Sequence, residues 1–158
     1  MKAISISVRA AAEPDIEHII AIERSWPHLS HWSVDAYNRI LRIDSFTSSL
    51  VAEIEASDGC PRIAGFVIYH VADRISEIYN IAVKSAHARA GIGAALMQGT
   101  LGASRKKGAH KLILEVRKSN RDAIRFYERF AFGIVGELHN YYSNPLEDAF
   151  VMERELRS

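Results

Sequence analysis

Disulfides, membrane spans and strong net charge are all missing from this chain, and each absence narrows what it can be. One cysteine, Cys60, stands among 158 residues, so no internal disulfide can form and a reducing cytoplasm is the expected compartment. Cys60 has no histidine near it in sequence, which argues against a covalent acyl-enzyme through its thiol. No apolar run approaches the length of a membrane span. The alternation of Ile4, Ile6 and Val8 with Ser5, Ser7 and Arg9 reads as a strand, and no charged and apolar leader precedes it, so no signal peptide is expected. A net charge of +1 gives no broad electrostatic surface for nucleic acid or membrane. The cluster Arg105-Lys106-Lys107 with His110 reads as cations set against a helix C-terminus. The seven histidines are scattered; His28 and His31 are close, but no third ligand accompanies them, so no metal site is expected. Repeats, low-complexity tracts and linkers are also absent. With 48% hydrophobic and 25% charged residues, residues 1–158 read as one globular domain with a proper core.

The pattern along the chain alternates strands with a few helices. A strand at Ile4 to Ala10 precedes a helix opened by Glu13-Pro14-Asp15, faced by Ile16, Ile19, Ile20 and Ile22 and ended by Trp26-Pro27. Ser33 caps a second helix carrying Val34, Tyr37 and Leu41 at helical spacing. Phe46 to Glu55 and Arg62 to Ala72 are strands around a hairpin loop, and Ser76 to Val83 is the next strand. A long helix follows Gly93 and runs to Lys107; its internal Gly99 and Gly102 suggest close packing against a neighbour. Then come a strand at His110 to Val116, a helix at Asn120 to Phe130, and strands at Phe132 to Tyr141 and Asp148 to Glu155. The order βαα, βββ, α, β, α, ββ predicts an α+β fold with a mixed sheet and helices on its faces.

Chemistry concentrates in the turn Ala88-Arg89-Ala90-Gly91-Ile92-Gly93, between a strand and a helix start. Such a turn can cradle an anion, because glycines admit close backbone approach and the first helical turn offers unpaired N–H donors. It can also be a packing device. It matches neither the phosphate-loop pattern, which needs a lysine followed by serine or threonine where Ala94-Ala95 stand, nor the dinucleotide fingerprint. Glu115 lies at the end of an apolar strand, where a carboxylate can pair with Arg117 or Lys84. Tyr127 reads as a core aromatic beside Phe126 and Phe130, and Asn120 as a helix N-cap.

Ile81-Ala82-Val83, Arg89-Ala90-Gly91-Ile92-Gly93, Leu114-Glu115-Val116-Arg117 with Ser119-Asn120, Phe126-Tyr127-Glu128 and Phe132-Gly133 stand in fixed order. Together they resemble the GNAT superfamily of acetyl-CoA-dependent N-acetyltransferases. The resemblance extends to Trp32-Ser33 and to Asn140-Tyr141-Tyr142 with Glu147-Asp148-Ala149, and within the superfamily it is nearest the bacterial ribosomal-protein-alanine N-acetyltransferase (RimI) type. One departure is Ala88, where such turns usually carry glutamine or arginine, although Arg89 supplies a cation next to it.

The resemblance implies the GNAT fold, a mostly antiparallel seven-stranded sheet flanked by about four helices. It implies acetyl-CoA as co-substrate, with no metal, held by backbone of Arg89, Ala90, Gly91, Ile92, Gly93 and Ala94, by strand backbone of Ile81, Ala82 and Val83, and by Asn120. Glu115 takes the role of general base, since an ammonium has no lone pair and must lose a proton before attack. Glu115→Gln is then expected to slow the reaction most at low pH. Tyr127 takes the role of acid toward the departing thiolate, a modest demand given a thiol pKa near about 8.5. The implied acceptor is a protein N-terminal α-amine, with the N-terminal alanine of a ribosomal protein foremost, gripped by Trp32, Tyr141 and Tyr142. An α-amine with a pKa near about 8 is easier to deprotonate than lysine at about 10.4. Lysine side chains, small-molecule amines such as polyamines, amino acids or antibiotics, and a non-catalytic acyl-CoA sensor are the alternatives. The protein is expected to be a monomer or a homodimer.

Overall fold

The computed structural model describes residues 4–29, 31–42 and 46–156. Strand β1 (Ile6–Ala10) starts two residues later than the alternation suggested. Glu13-Pro14-Asp15 forms a separate 3-10 turn, and helix α1 (Ile16–Arg24) begins after it. Asp15 explains the tight turn. Its carboxylate accepts the Ala12 N–H at 2.7 Å and two N–H groups of Arg9 at 2.7 and 2.9 Å, which ties β1 to the start of α1. These bonds hold the Asp15 carboxyl below the usual carboxylate range, the Arg9 bond contributing most. Helix α2 (Val34–Arg42) is capped as expected, with Ser33 Oγ accepting the Ala36 N–H at 3.1 Å.

Strands β2 (Thr47–Glu55), β3 (Pro61–Ala72) and β4 (Ile75–Val83) follow, then helix α3 (Ile92–Lys106), strand β5 (Lys111–Arg117), helix α4 (Arg121–Arg129) and strands β6 (Gly133–Tyr142) and β7 (Glu147–Glu155). The strands form one seven-stranded sheet in the order β1-β2-β3-β4-β5-β7-β6. β4 and β5 pair in parallel, because α3 carries the chain back across the sheet between them. Their register runs Ile75↔Lys111, Ser76↔Leu112 and Glu77↔Ile113. β1–β2, β2–β3, β5–β7 and β6–β7 are antiparallel.

The fold gathers into two compact units, Met1–His70 with Tyr79–Ala103, and Val71–Ile78 with Ser104–Ser158. In the first, Ile19 and Ile22 of α1 and Tyr37 of α2 pack with Val51, Phe66 and Ile68 of the sheet. Ile92, Leu96 and Met97 of α3 are buried there too. Gly65 of β3 lets α3 come close: a Cβ at that position would stand 3.0 Å from the Ala82 carbonyl oxygen, Ile92 and Leu96. Gly99 serves the same purpose against Val8 at 3.1 Å and Leu50 at 3.3 Å. Gly102 does not, since a Cβ there would meet nothing within 4 Å, so the close-packing expectation holds for only one of the two helical glycines. In the second unit, Leu112, Leu114, Ala149 and Met152 of β5 and β7 form the core with Tyr127 and Phe132. No helix among the described residues is long and apolar enough to cross a membrane.

Candidate active site

Within the second unit, strand register decides what Glu115 meets. Glu77 is paired with Ile113, and Glu115 lies two residues further along β5, so both carboxylates project from one face of the parallel ladder. They are hydrogen-bonded to each other, and Glu115 is half-buried. Burial raises the Glu115 carboxyl most and the neighbouring Glu77 charge adds to it, bringing it to about 7. With its carboxyl raised into the neutral range, Glu115 can take up or release a proton near pH 7.

The cation that could have neutralised Glu115 is engaged elsewhere. Arg117, itself buried, donates to the carbonyls of Pro145 at 3.0 Å and Ser143 at 3.1 Å and pairs with Glu147 at 3.2 Å. The reading of Glu115 as a partner of Arg117 therefore fails. Glu77 was invisible in the sequence, since Ser76-Glu77-Ile78 looks like any strand with a polar residue turned outward. Only the register of β4 against β5 shows its partner.

Tyr127 of α4 is buried, edge-on to Phe126 at 5.4 Å and to Phe132 at 5.8 Å between ring centroids. Burial pushes its phenol up to about 12, so it keeps its proton throughout the physiological range. Asn120 is the N-cap of α4, its side chain accepting the Ala123 N–H at 3.2 Å. Tyr141 and Tyr142 do not sit on opposite faces of β6. Asn140 has φ +51° and the register slips between Leu138 and Tyr142, so alternation breaks and the two rings meet edge-to-face at 4.9 Å. Burial raises both phenols most, and the nearby negative charge of Glu115 raises both further.

The other candidate residues lie in the first unit. Arg89 has φ +62° and Gly91 φ +88°, a left-handed turn leading into α3. The Ala95 N–H bonds the Gly91 carbonyl at 3.0 Å, so the N–H groups of Gly91, Ile92, Gly93 and Ala94 precede the first intrahelical bond. Arg89 is exposed beside them. In β4 the Val83 carbonyl accepts the Trp26 indole N–H at 2.9 Å, which commits that oxygen. Trp32 lies against Tyr37 and Tyr79, with centroids at 5.8 and 6.0 Å. Its backbone N–H donates to Glu23 at 2.6 Å. Glu23 is fully buried, also accepts the Tyr37 hydroxyl, and was not singled out in the sequence.

A model of the acetyltransferase (GNAT) family matches residues 13–132, the span that holds the glycine turn, Glu115 and Tyr127. This chain belongs to the GNAT acetyltransferase family. A ribosomal protein bS18-alanine N-acetyltransferase from Escherichia coli is 37% identical over 93 residues, 58% of this chain and 63% of its own. A Bacillus subtilis relative provisionally given the same name is 32% identical over 92% of this chain and 93% of its own. The crystal structure of the Escherichia coli ribosomal-protein-S18-alanine N-acetyltransferase superposes with a TM-score of 0.82 at 26% identity, covering 98% of this chain and 96% of that one.

GNAT enzymes use acetyl-CoA, and this one is an acetyltransferase. The donor set of the turn suits a polyphosphate: four successive N–H groups at a helix start, left-handed dihedrals at Arg89 and Gly91, and an exposed guanidinium. The GNAT fold expected from the sequence is the fold observed, with its seven strands and four helices among the described residues.

Proposed function

We propose that the acetyl acceptor is a protein N-terminal α-amine, with the N-terminal alanine of a ribosomal protein as the leading substrate, and that residues 1–158 act as one GNAT domain in the cytoplasm. The observation that carries this reading is the half-buried Glu115 carboxyl, hydrogen-bonded to Glu77 while the neighbouring Arg117 is engaged with Pro145, Ser143 and Glu147. A base with a pKa of about 7 is matched to an amine whose own pKa lies near about 8, and less well to a lysine near about 10.4. The names of the relatives from Escherichia coli and Bacillus subtilis support the same acceptor.

Acetyl-CoA supplies an activated acetyl thioester and a thiol leaving group. The backbone amides of Gly91 to Ala94, with Arg89 beside them, would hold its pyrophosphate, since the Ala90 N–H is already bonded to the His87 carbonyl at 3.3 Å, and the backbone of Ile81, Ala82 and Val83 would receive its pantetheine arm. The committed Val83 carbonyl leaves that task to the other strand groups. Asn120 acts first as a cap and offers its amide N–H₂ to the cofactor. Glu115, hydrogen-bonded to Glu77, takes the proton from the acceptor nitrogen. Tyr127, protonated and shielded, holds a proton at Oη for the leaving sulfur. Trp32, Tyr141 and Tyr142 contact the acceptor.

Thiol release from acetyl-CoA, measured with separate acceptors, tests this reading. An alanine-first peptide is expected to stimulate release strongly; an N-terminally blocked lysine peptide and spermidine are not. Release with spermidine alone would make the chain a small-molecule acetyltransferase. If CoA binds and no amine stimulates release, the chain is a sensor.

A further inference from the structure

Arg117 is a charged residue buried at the end of β5, and four things converge on it. Its Nη1 reaches the Pro145 carbonyl at 3.0 Å and Glu147 at 3.2 Å, and its Nη2 reaches the Ser143 carbonyl at 3.1 Å. The guanidinium carbon lies 4.4 Å from the centre of the Tyr142 ring. Glu147 in turn accepts the Ser119 N–H at 2.7 Å, just before α4 begins. Burying a guanidinium is costly unless its donors are filled, and here Nε is buried with no partner among the described residues. An apolar residue would fill the same core space without that cost. What the guanidinium adds is a planar fork that ties together two backbone carbonyls, a carboxylate and a ring.

The segment so held is the Ser143–Glu147 turn and the end of β6, where the slip at Asn140 has already set Tyr141 against Tyr142. Arg117 and Glu115 are two residues apart on β5 and so share a face, and Tyr142 feels the charge of both. We infer that Arg117 is a positioning residue, which locks Tyr142 and the Ser143–Glu147 turn into a preformed wall for the acceptor peptide beside Glu115. This rests on the reading of Glu115 as base and of Tyr141 and Tyr142 as acceptor contacts. Arg117 itself touches neither substrate nor reacting atoms.

Steady-state kinetics with an alanine-first peptide test the inference. Arg117→Lys keeps the charge and loses both the fork and the stacking plane. It should raise the peptide KM roughly tenfold or more and leave the acetyl-CoA KM within about twofold, a split that general destabilisation does not produce. Tyr142→Leu should raise the same constant, and the double variant should be no worse than the poorer single, since both remove one unit. A folded Arg117→Lys with the wild-type peptide KM, or losses that multiply in the double variant, overturns the inference. Glu147→Gln loosens the guanidinium without deleting it and covers the case in which Arg117→Lys does not fold. It should raise the peptide KM in the same direction, and a wild-type value there also overturns the inference. Glu115→Gln in the same assay separates this from the parent reading: if it loses kcat while Arg117→Lys behaves as wild type, only the wall is refuted. If Glu115→Gln is unimpaired, the base assignment itself falls.

Discussion

At the scale of single residues, the proposed base Glu115 sets a prediction for how the reaction responds to pH. Glu115 is competent as a base only when ionised, and burial with Glu77 beside it raises its carboxyl to about 7. Activity should therefore rise with pH through about 7. This reverses the expectation that Glu115→Gln hurts most at low pH, because below pH 7 the wild-type group is itself protonated. The loss, on the order of 10²- to 10⁴-fold, should be greatest above pH 7 and shrink below it. Glu77→Gln removes one of the charges that raise Glu115, so the acidic limb should move to lower pH. A limb that stays put in Glu77→Gln detaches that residue from the base. Tyr127→Phe keeps the packing with Phe126 and Phe132 and deletes only the proton held at Oη. A fall of roughly tenfold to a hundredfold in kcat is expected, since a thiolate is a tolerable leaving group unaided. An unchanged kcat would leave Tyr127 as a core aromatic only. Glu115 and Tyr127 were singled out in the sequence by the resemblance to the GNAT motifs. Glu77, Glu23 and the tether of Arg117 were not, because each depends on a partner supplied by a distant element.

At the scale of elements, the turn before α3 is the proposed cradle for the pyrophosphate of acetyl-CoA. Gly91 sits at φ +88°, where an added Cβ would meet only Ile6 at 3.7 Å, so room is not the constraint. Its dihedrals are: alanine there costs about 1–2 kcal/mol and pulls the turn toward ordinary angles. Gly91→Ala should lower Tm by a few degrees and raise the KM for acetyl-CoA, with the peptide KM little changed. If thermal melts shift while the acetyl-CoA KM does not, the turn is a packing device and not a cradle. Element positions were readable almost throughout, since periodicity, the Ser33 and Asn120 caps and the glycine turn all act locally. The exceptions have tertiary causes. Arg9 and Asp15 draw Glu13–Asp15 into a separate turn, and the slip at Asn140 brings together two rings that alternation would have parted.

At the scale of the whole molecule, the order of elements in the sequence anticipated the sheet, and the α3 crossover explains the parallel pairing of β4 with β5. The sheet order itself, with β7 inserted between β5 and β6, was not legible, because nothing local says which neighbour a strand will choose. The same limit applies to function. Family motifs identify an acetyltransferase, whereas the acceptor depends on side chains brought together by folding. The central claim is that this enzyme acetylates a protein α-amine in preference to other amines. One peptide that carries both a free N-terminal alanine and an internal lysine tests it most directly, because both amines then share one concentration. After incubation with enzyme and acetyl-CoA, fragment-ion mass spectrometry should place a single acetyl group on the N-terminal alanine. Acetylation of the lysine at an equal or greater rate would contradict the account.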